Sequence, residues 1–358
     1  MFFVQGEGRG HLSQAIAMKE ILENQGHQIV SLIYGKKVNR TIPDYLFTHF
    51  NDKICFTDSP SLLRDKSDTK TLMVKSLFNN LIKSFYYIRQ LKIINQEIKE
   101  KKPHLIFNFH EMMCGFYLMF YQCRIPVLSV ARQYFYYHHR FRFSSKSLFN
   151  LISLQLVNYF TTYGSVKRLG INFSQFDNLK AKRLAVIPPL IRQKIRNSSA
   201  QSENQVLIYL LNTGYLKEVI DFHEEYPQLK KVCFWERESL NKEENLVFRK
   251  IDEDEFYKEL VKSKAVMSNA GFDLIAECFY LGIPMLIIPA LSHPEQFINS
   301  IESSKVGAAI VSQKFDNNLL TKFTNNYKTN ISFKKWVNSC PELISIEIQK
   351  LIDKNLIQ

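Results

Sequence analysis

With 358 residues, 46% of them hydrophobic and 23% charged, the chain is long enough for two domains and too apolar to be disordered. Its six cysteines (Cys55, Cys114, Cys123, Cys233, Cys278, Cys340) form no CxxC pair or metal-ligand spacing, which argues against a disulfide scaffold and for reduced thiols in a cytoplasmic protein. The net charge of +13 is lopsided: residues 1–190 hold 26 Lys/Arg against 12 Asp/Glu and residues 191–358 hold 21 against 22, so the first half would attract phosphate-bearing partners.

The chain opens on a short strand at 2–4, a glycine-rich turn, a helix over 12–25 and a second strand at 28–34, a βαβ start that predicts a parallel sheet. Gly6, Glu7 and Arg9 interrupt the first apolar stretch, so no signal peptide is expected. A long amphipathic helix is predicted over 72–100, then strands at 104–109, 127–130 and 184–187 with helical stretches between. The uncharged run 112–123 is well short of the roughly 20 residues that span a bilayer, and reads as a buried helix. Pro188-Pro189 ends the alternation, and the polar stretch after it suits a linker. The second half restarts with strands at 205–211, 231–234, 265–268 and 284–288, and helices at 254–263 and 273–281. The expected domains are 1–190, a linker at 191–204, a second domain at 205–330 and a helical tail at 331–358.

Three stretches carry candidate chemistry. The first is Gly6-Glu7-Gly8-Arg9-Gly10-His11, after a strand and at a helix start. Its glycines permit positive φ and close backbone approach, the helix start offers unpaired N–H groups to an anion, and His11 can accept a proton near neutral pH. It is neither a Walker loop nor GxGxxG, and a purely structural turn explains the glycines about as well. The second runs from Asn269-Ala270-Gly271-Phe272-Asp273 through Glu277 to Glu295-Gln296. Here a strand delivers the chain to a glycine, a helix aims its N-terminus at a diphosphate, and the Glu277 carboxylate can accept from both hydroxyls of a ribose. Glu295 and Gln296 can read sugar hydroxyls.

The third stretch, 132–149, interleaves Tyr134, Phe135, Tyr136, Tyr137, Phe141, Phe143 and Phe149 with Arg140, Arg142 and Lys146. It suits a membrane interface, stacking on single-stranded nucleic acid, or a loop that folds its rings inward. The acidic run Asp252-Glu253-Asp254 contains a DxD, but at a helix start it reads better as a solvated cap than as a metal site.

Taken in chain order, the first two stretches resemble the MurG-type glycosyltransferases, with their diacylglycerol-glycosyltransferase and MurG-like relatives. That resemblance implies two Rossmann-like domains facing across a cleft, the glycosyltransferase B fold, and an inverting, metal-independent transfer with no cofactor. The donor would be a nucleotide-sugar, UDP-linked by resemblance alone. It also assigns Glu277 to the ribose, Gln296 to the donor sugar, Asn212, Thr213 and Gly214 to the phosphates, and Ile251 to the base. Glu295 and the 269–272 turn join that donor set. His11 matches the loop histidine, with Glu7 as the other candidate base and Gly8, Arg9, Gly10 and Gln133 on the acceptor or phosphate side. Arg140 and Arg142 are assigned to an anionic or lipid-linked acceptor from charge alone, with peripheral contact at the inner membrane face. Two departures stand out: Asn269-Ala270 where these enzymes often have Arg-Ser, and Asn108 where an acidic residue is expected. A nucleotide-sugar 2-epimerase of the same architecture and a non-catalytic sugar-nucleotide binder are the rival readings. A nucleic-acid-binding module fits less well, because the donor-like loop carries no basic residue.

Overall fold

A computed structural model describes residues 1–36, 41–60, 84–141, 148–210, 213–235, 244–290, 293–354 and 356–357. The described residues fall into two units: those from Met1 to Arg192 together with those from Trp336 onward, and those from Gln193 to Lys335.

The first unit is built on a seven-stranded sheet in the order β3-β2-β1-β4-β5-β6-β7. Its strands are β1 (Phe2–Gln5), β2 (Leu32–Lys36), β3 (Ile54–Asp58), β4 (Ile106–Phe109), β5 (Val127–Ala131), β6 (Lys167–Ile171) and β7 (Leu184–Ile187). Every neighbouring pair is parallel. β1, β4 and β5 are buried along their whole length, as central strands covered on both faces must be. Phe2 packs edge-on against Phe50, Phe107 and Phe109, and Phe3, Ile33, Leu91, Ile94 and Met113 share a core cluster. Helices Met112–Phe120 and Leu148–Thr161 approach so closely at Gly115 that a Cβ there would overlap the Phe160 carbonyl.

The second unit carries a six-stranded parallel sheet in the order β10-β9-β8-β11-β12-β13. Its strands are β8 (Glu203–Leu210), β9 (Lys230–Trp235), β10 (Leu246–Lys250), β11 (Ser263–Ser268), β12 (Met285–Ile287) and β13 (Ile310–Val311). Val206, Ile208, Cys233, Trp235, Phe248 and Met267 form its core with Val219 and Phe222 of the helix Leu216–Glu225.

Several expectations need correction. Residues 28–31 precede β2 rather than belonging to it, and β3, β6, β10 and β13 went unread because each is short or interrupted by polar residues. Of the helix expected at 72–100, Ser84–Lys101 is helical and residues 72–83 lie outside the described residues. The stretch 191–204 holds a short helix, Gln193–Arg196, and the first residues of β8. None of Gly6, Gly8 and Gly10 adopts a positive φ. Gly6 instead makes room for the chain itself: a Cβ there would sit 2.5 Å from Gly35 O and 2.8 Å from the Tyr34 ring.

The aromatic stretch turns inward. Tyr134, Phe135, Tyr136 and Phe141 are buried, so these rings are not presented to headgroups or bases. Arg132 lies among them, donating to Asn172 Oδ1 (2.7 Å) and to Ile171 O (3.2 Å). His139 and Arg140 are exposed, whereas Arg142 and Lys146 lie outside the described residues. No helix among the described residues is long and apolar enough to cross a membrane. In the tail, Trp336 Nε1 donates to Asn172 O (3.1 Å), Gln25 Nε2 donates to Pro341 O (3.0 Å), and buried Glu347 pairs with Lys167 (2.6 Å).

Candidate functional site

In an open parallel sheet the strand order reverses at one point, and the loops leaving the carboxyl ends of the two strands there diverge to leave a crevice. In the first unit that point lies between β1 and β4, and in the second between β8 and β11. Most of the candidate residues lie on the loops and helices that leave these strands, each within its own unit.

At the first, β1 runs into the loop 6–9, and the helix Gly10–Asn24 starts at Arg9 with no side-chain cap. A helix start of this kind points its backbone N–H groups out of the loop. Glu7, Arg9, Gly10 and His11 are half-buried and Gly8 is exposed. A Cβ at Gly8 would meet nothing within 4 Å, so the loop is open on that side.

Across the reversal point, β4 is followed by His110 and Glu111, which sequence reasoning missed. His110 stacks on His11, with ring centroids 5.2 Å apart. Its Nε2 lies 3.1 Å from Asn158 Oδ1 and its Nδ1 lies 3.4 Å from Gln5 Oε1. Glu111 is fully buried; it accepts from the Ser59 hydroxyl and, at 3.0 Å, from Met113 N, capping the helix Met112–Phe120. Asn108 ties this turn together, accepting from Glu111 N (2.9 Å) and donating to Glu111 O (3.1 Å) and Thr161 O (2.7 Å). An acidic group is thus present beside β4, three residues after the position where the resemblance implies one. The available signal was a polar doublet wedged between an apolar strand and an uncharged helix.

Gln133 follows β5 and is 3% exposed, its Oε1 without a hydrogen-bond partner and its carbonyl accepting from Asn158 Nδ2 (3.1 Å). Arg140 is exposed two residues after His138, whose Nδ1 accepts from the Arg140 N–H at 3.1 Å.

In the second unit, β8 leads to a 3-10 turn at Thr213–Tyr215, with Gly214 exposed and Asn212 outside the described residues. β11 leads to Asn269, Ala270 and Gly271, and Gly271 is the uncapped N-cap of the helix Phe272–Leu281. Gly271 has an ordinary φ of −73°, and a Cβ there would meet nothing within 4 Å. The chain itself does not demand glycine at this position. Asn269 Nδ2 donates to Ile288 O (3.0 Å), and its side chain also bonds the Tyr215 phenol, which burial pushes above its ordinary pKa. It therefore braces three loops at the carboxyl ends of β8, β11 and β12. Ala270 is fully buried, and its carbonyl accepts from Asn299 Nδ2 (3.1 Å). Phe272 is buried at the first helical turn, which also carries the carboxylate of Asp273.

Glu277 is 6% exposed and accepts from the Tyr257 hydroxyl (3.3 Å). Ile251, half-buried after β10, donates its N–H to Trp235 O (3.1 Å). Gln296 Oε1 accepts from Ala290 N (2.9 Å), leaving its NH2 as the group to offer a ligand, and Glu295 stands beside it in the first turn of the helix Pro294–Lys305. Asp252 caps the helix Glu253–Lys262 by accepting from Glu255 N (2.9 Å), which accounts for the DxD without a metal. Among the described residues no group of three His, Cys, Asp or Glu side chains is placed to hold a metal ion.

A family model described as Glycosyl transferase family 1 matches residues 1–327. Among solved structures, Acinetobacter baumannii MurG is similar with a TM-score of 0.54 at 15% identity, covering 98% of both chains. Staphylococcus aureus MnaA with UDP gives 0.60 at 11% identity, covering 99% of this chain and 97% of that one. Arabidopsis thaliana UGT89C1 with UDP-L-rhamnose gives 0.59 at 14%, with the same coverage. At these identities the likeness is one of fold. A search of curated proteins finds no match.

Proposed function

Because the chain belongs to glycosyl transferase family 1, we propose that it moves a sugar from a nucleotide-sugar donor, UDP-linked, to an acceptor hydroxyl. The observation that supports this reading is that the turn Thr213–Tyr215 and the helix led by Gly271, which carries Glu277, follow β8 and β11, the two strands at which the second sheet reverses its order. The uncapped start of the helix Phe272–Leu281 would face the diphosphate, and open space at Gly271 lets it approach. Glu277, steadied by Tyr257, would accept from the ribose hydroxyls. Gln296 and Glu295 would read the sugar, and Ile251 would pack on the base.

The chemistry is one displacement at the anomeric carbon. The acceptor oxygen bonds to that carbon as its proton passes to His11, with Glu7 the alternative base, and the bond to the diphosphate oxygen breaks with its electron pair. Negative charge growing on the leaving group would be stabilised by the start of the helix Phe272–Leu281 and by the 213–215 turn. A single displacement inverts the configuration, and the proposal involves no metal. The basic first half would hold an anionic or lipid-linked acceptor through Gly8, Arg9, Gly10, Gln133, Arg140 and Arg142, at the cytoplasmic face of a membrane. A MurG-like transfer of a hexosyl or N-acetylhexosaminyl group follows from the sequence resemblance.

The test is a thermal-shift panel of nucleoside diphosphates and nucleotide-sugars on the native chain and on Glu277→Ala. Stabilisation by one nucleotide family, lost in the variant, supports the donor site; no shift with any nucleotide rejects it. Conversion of the donor sugar with no acceptor present would replace the transferase reading with the epimerase one.

A further inference from the structure

Asn299 lies on the helix Pro294–Lys305, one turn past Gln296, and is 1% exposed. Its Nδ2 donates to Ala270 O (3.1 Å), and because a carbonyl can only accept, that contact settles which end of the amide faces the turn. At the other end, Oδ1 is buried with no hydrogen-bond partner among the described residues. Burying an unsatisfied carbonyl costs stability, whereas a leucine of similar size would fill the same space without that cost. Packing alone therefore does not call for asparagine here; what the amide adds is its hold on Ala270.

That hold acts where the chain is least restrained. Gly271 leads the helix Phe272–Leu281 and has no side chain to limit its φ and ψ. The peptide link between Ala270 and Gly271 is planar, so fixing the Ala270 carbonyl fixes the plane from which the chain enters the helix. From that same peptide, Gly271 N donates to Asn269 O (2.8 Å), and Asn269 Nδ2 donates to Ile288 O (3.0 Å). One turn before Asn299 on the same helix, Gln296 Oε1 accepts from Ala290 N (2.9 Å). A single helix thus holds both the 269–271 turn and the loop after β12. We propose that Asn299 is a positioning residue for the donor: it fixes the aim of the helix start that faces the diphosphate and ties that turn to the helix whose Gln296 reads the sugar. Asn299 is too buried to meet a ligand itself and acts through the turn. The inference rests on the donor site proposed above.

Titration calorimetry on the full-length protein tests this by comparing the nucleoside diphosphate that stabilises it most with the matching monophosphate, with urea unfolding alongside. Asn299→Leu removes the hold on Ala270 together with the orphaned Oδ1, so its urea midpoint should stay close to the native one. Its diphosphate affinity should fall about tenfold, the share of one hydrogen bond to a charged group, while monophosphate affinity changes by less than about twofold. Asn299→Asp keeps the shape but sets a carboxylate oxygen against Ala270 O, and should show the same split. If Asn299→Leu unfolds, the asparagine serves the core and the proposal is overturned. It is overturned equally if the folded variant weakens both nucleotides by the same factor, or neither. A native chain that binds no nucleoside diphosphate fails earlier, at the donor site itself, so the two failures give different results.

Discussion

Glycines at the two loops have opposite reasons to be there. At Gly35 a Cβ would collide with the Glu111 carboxylate and at Gly6 with Gly35 O, so these positions serve the packing of the unit. At Gly271 it would enter open space. Gly35→Ala should accordingly cost about 1–3 kcal/mol in urea unfolding. Gly271→Ala should stay within about 0.5 kcal/mol of the native chain while weakening nucleotide stabilisation in the thermal-shift panel. Lys231 makes a separate point about buried charge. Its ammonium is fully buried at the start of β9, donating to Tyr226 O (2.6 Å) and Leu229 O (2.7 Å), and desolvation lowers its pKa from 10.5 to about 8. Between those values the unfolded chain binds the extra proton, so stability contributed by this group rises as pH goes from about 8 to 10.5. Urea midpoints of the native chain and Lys231→Met, compared at pH 7.5 and 10, should show the native chain gaining on the variant at the higher pH.

Helix starts differ in how their first N–H groups are satisfied. Glu111, Asp252, His293 and Asp316 each cap a helix with a side chain. The helices that begin at Gly10 and Phe272, at the two reversal points, have no such cap. A capped start uses a carboxylate or ring nitrogen to satisfy an N–H, whereas a start without one turns to the backbone, to water or to a ligand. Asp252→Ala should therefore cost about 1 kcal/mol of stability by chemical denaturation, with no dependence on added divalent metal. Asn269 shows the same economy between loops: its amide serves Ile288 O and Tyr215, so the Asn-for-Arg departure adds bracing where a guanidinium would have added charge.

At the level of the whole molecule, charge and fold divide the chain differently. The positive excess belongs to residues 1–190, while the first unit also takes in the tail from Trp336 onward. The tail helix Cys340–Ile352 brings Glu347 into the unit at 4% exposure, paired with Lys167 (2.6 Å) and Lys350 (2.7 Å). Glu347→Gln should lower stability by about 1 kcal/mol, because the half-buried Lys167 and the exposed Lys350 lose the charge of a carboxylate that is itself buried. If the tail were merely appended, the unfolding midpoint would not move.

The amino-acid pattern by itself determined the alternation of strands and helices, the parallel sheets it implies and the loops at 6–11 and 269–277. Apolar strand runs such as 106–109 and 265–268, and helical spacing such as 273–281, are local signals read within one element. It also put Glu277 on the helix that Gly271 leads, because a carboxylate two turns past a glycine-led helix start is a local relation too. Tertiary structure alone decided which residues meet. His110 joins His11 across a reversal of strand order, Tyr257 meets Glu277 from a neighbouring helix, and the rings at 134–136 turn inward around Arg132. These are contacts between residues up to about 100 positions apart in the chain, set by strand order and burial, and no local periodicity carries them.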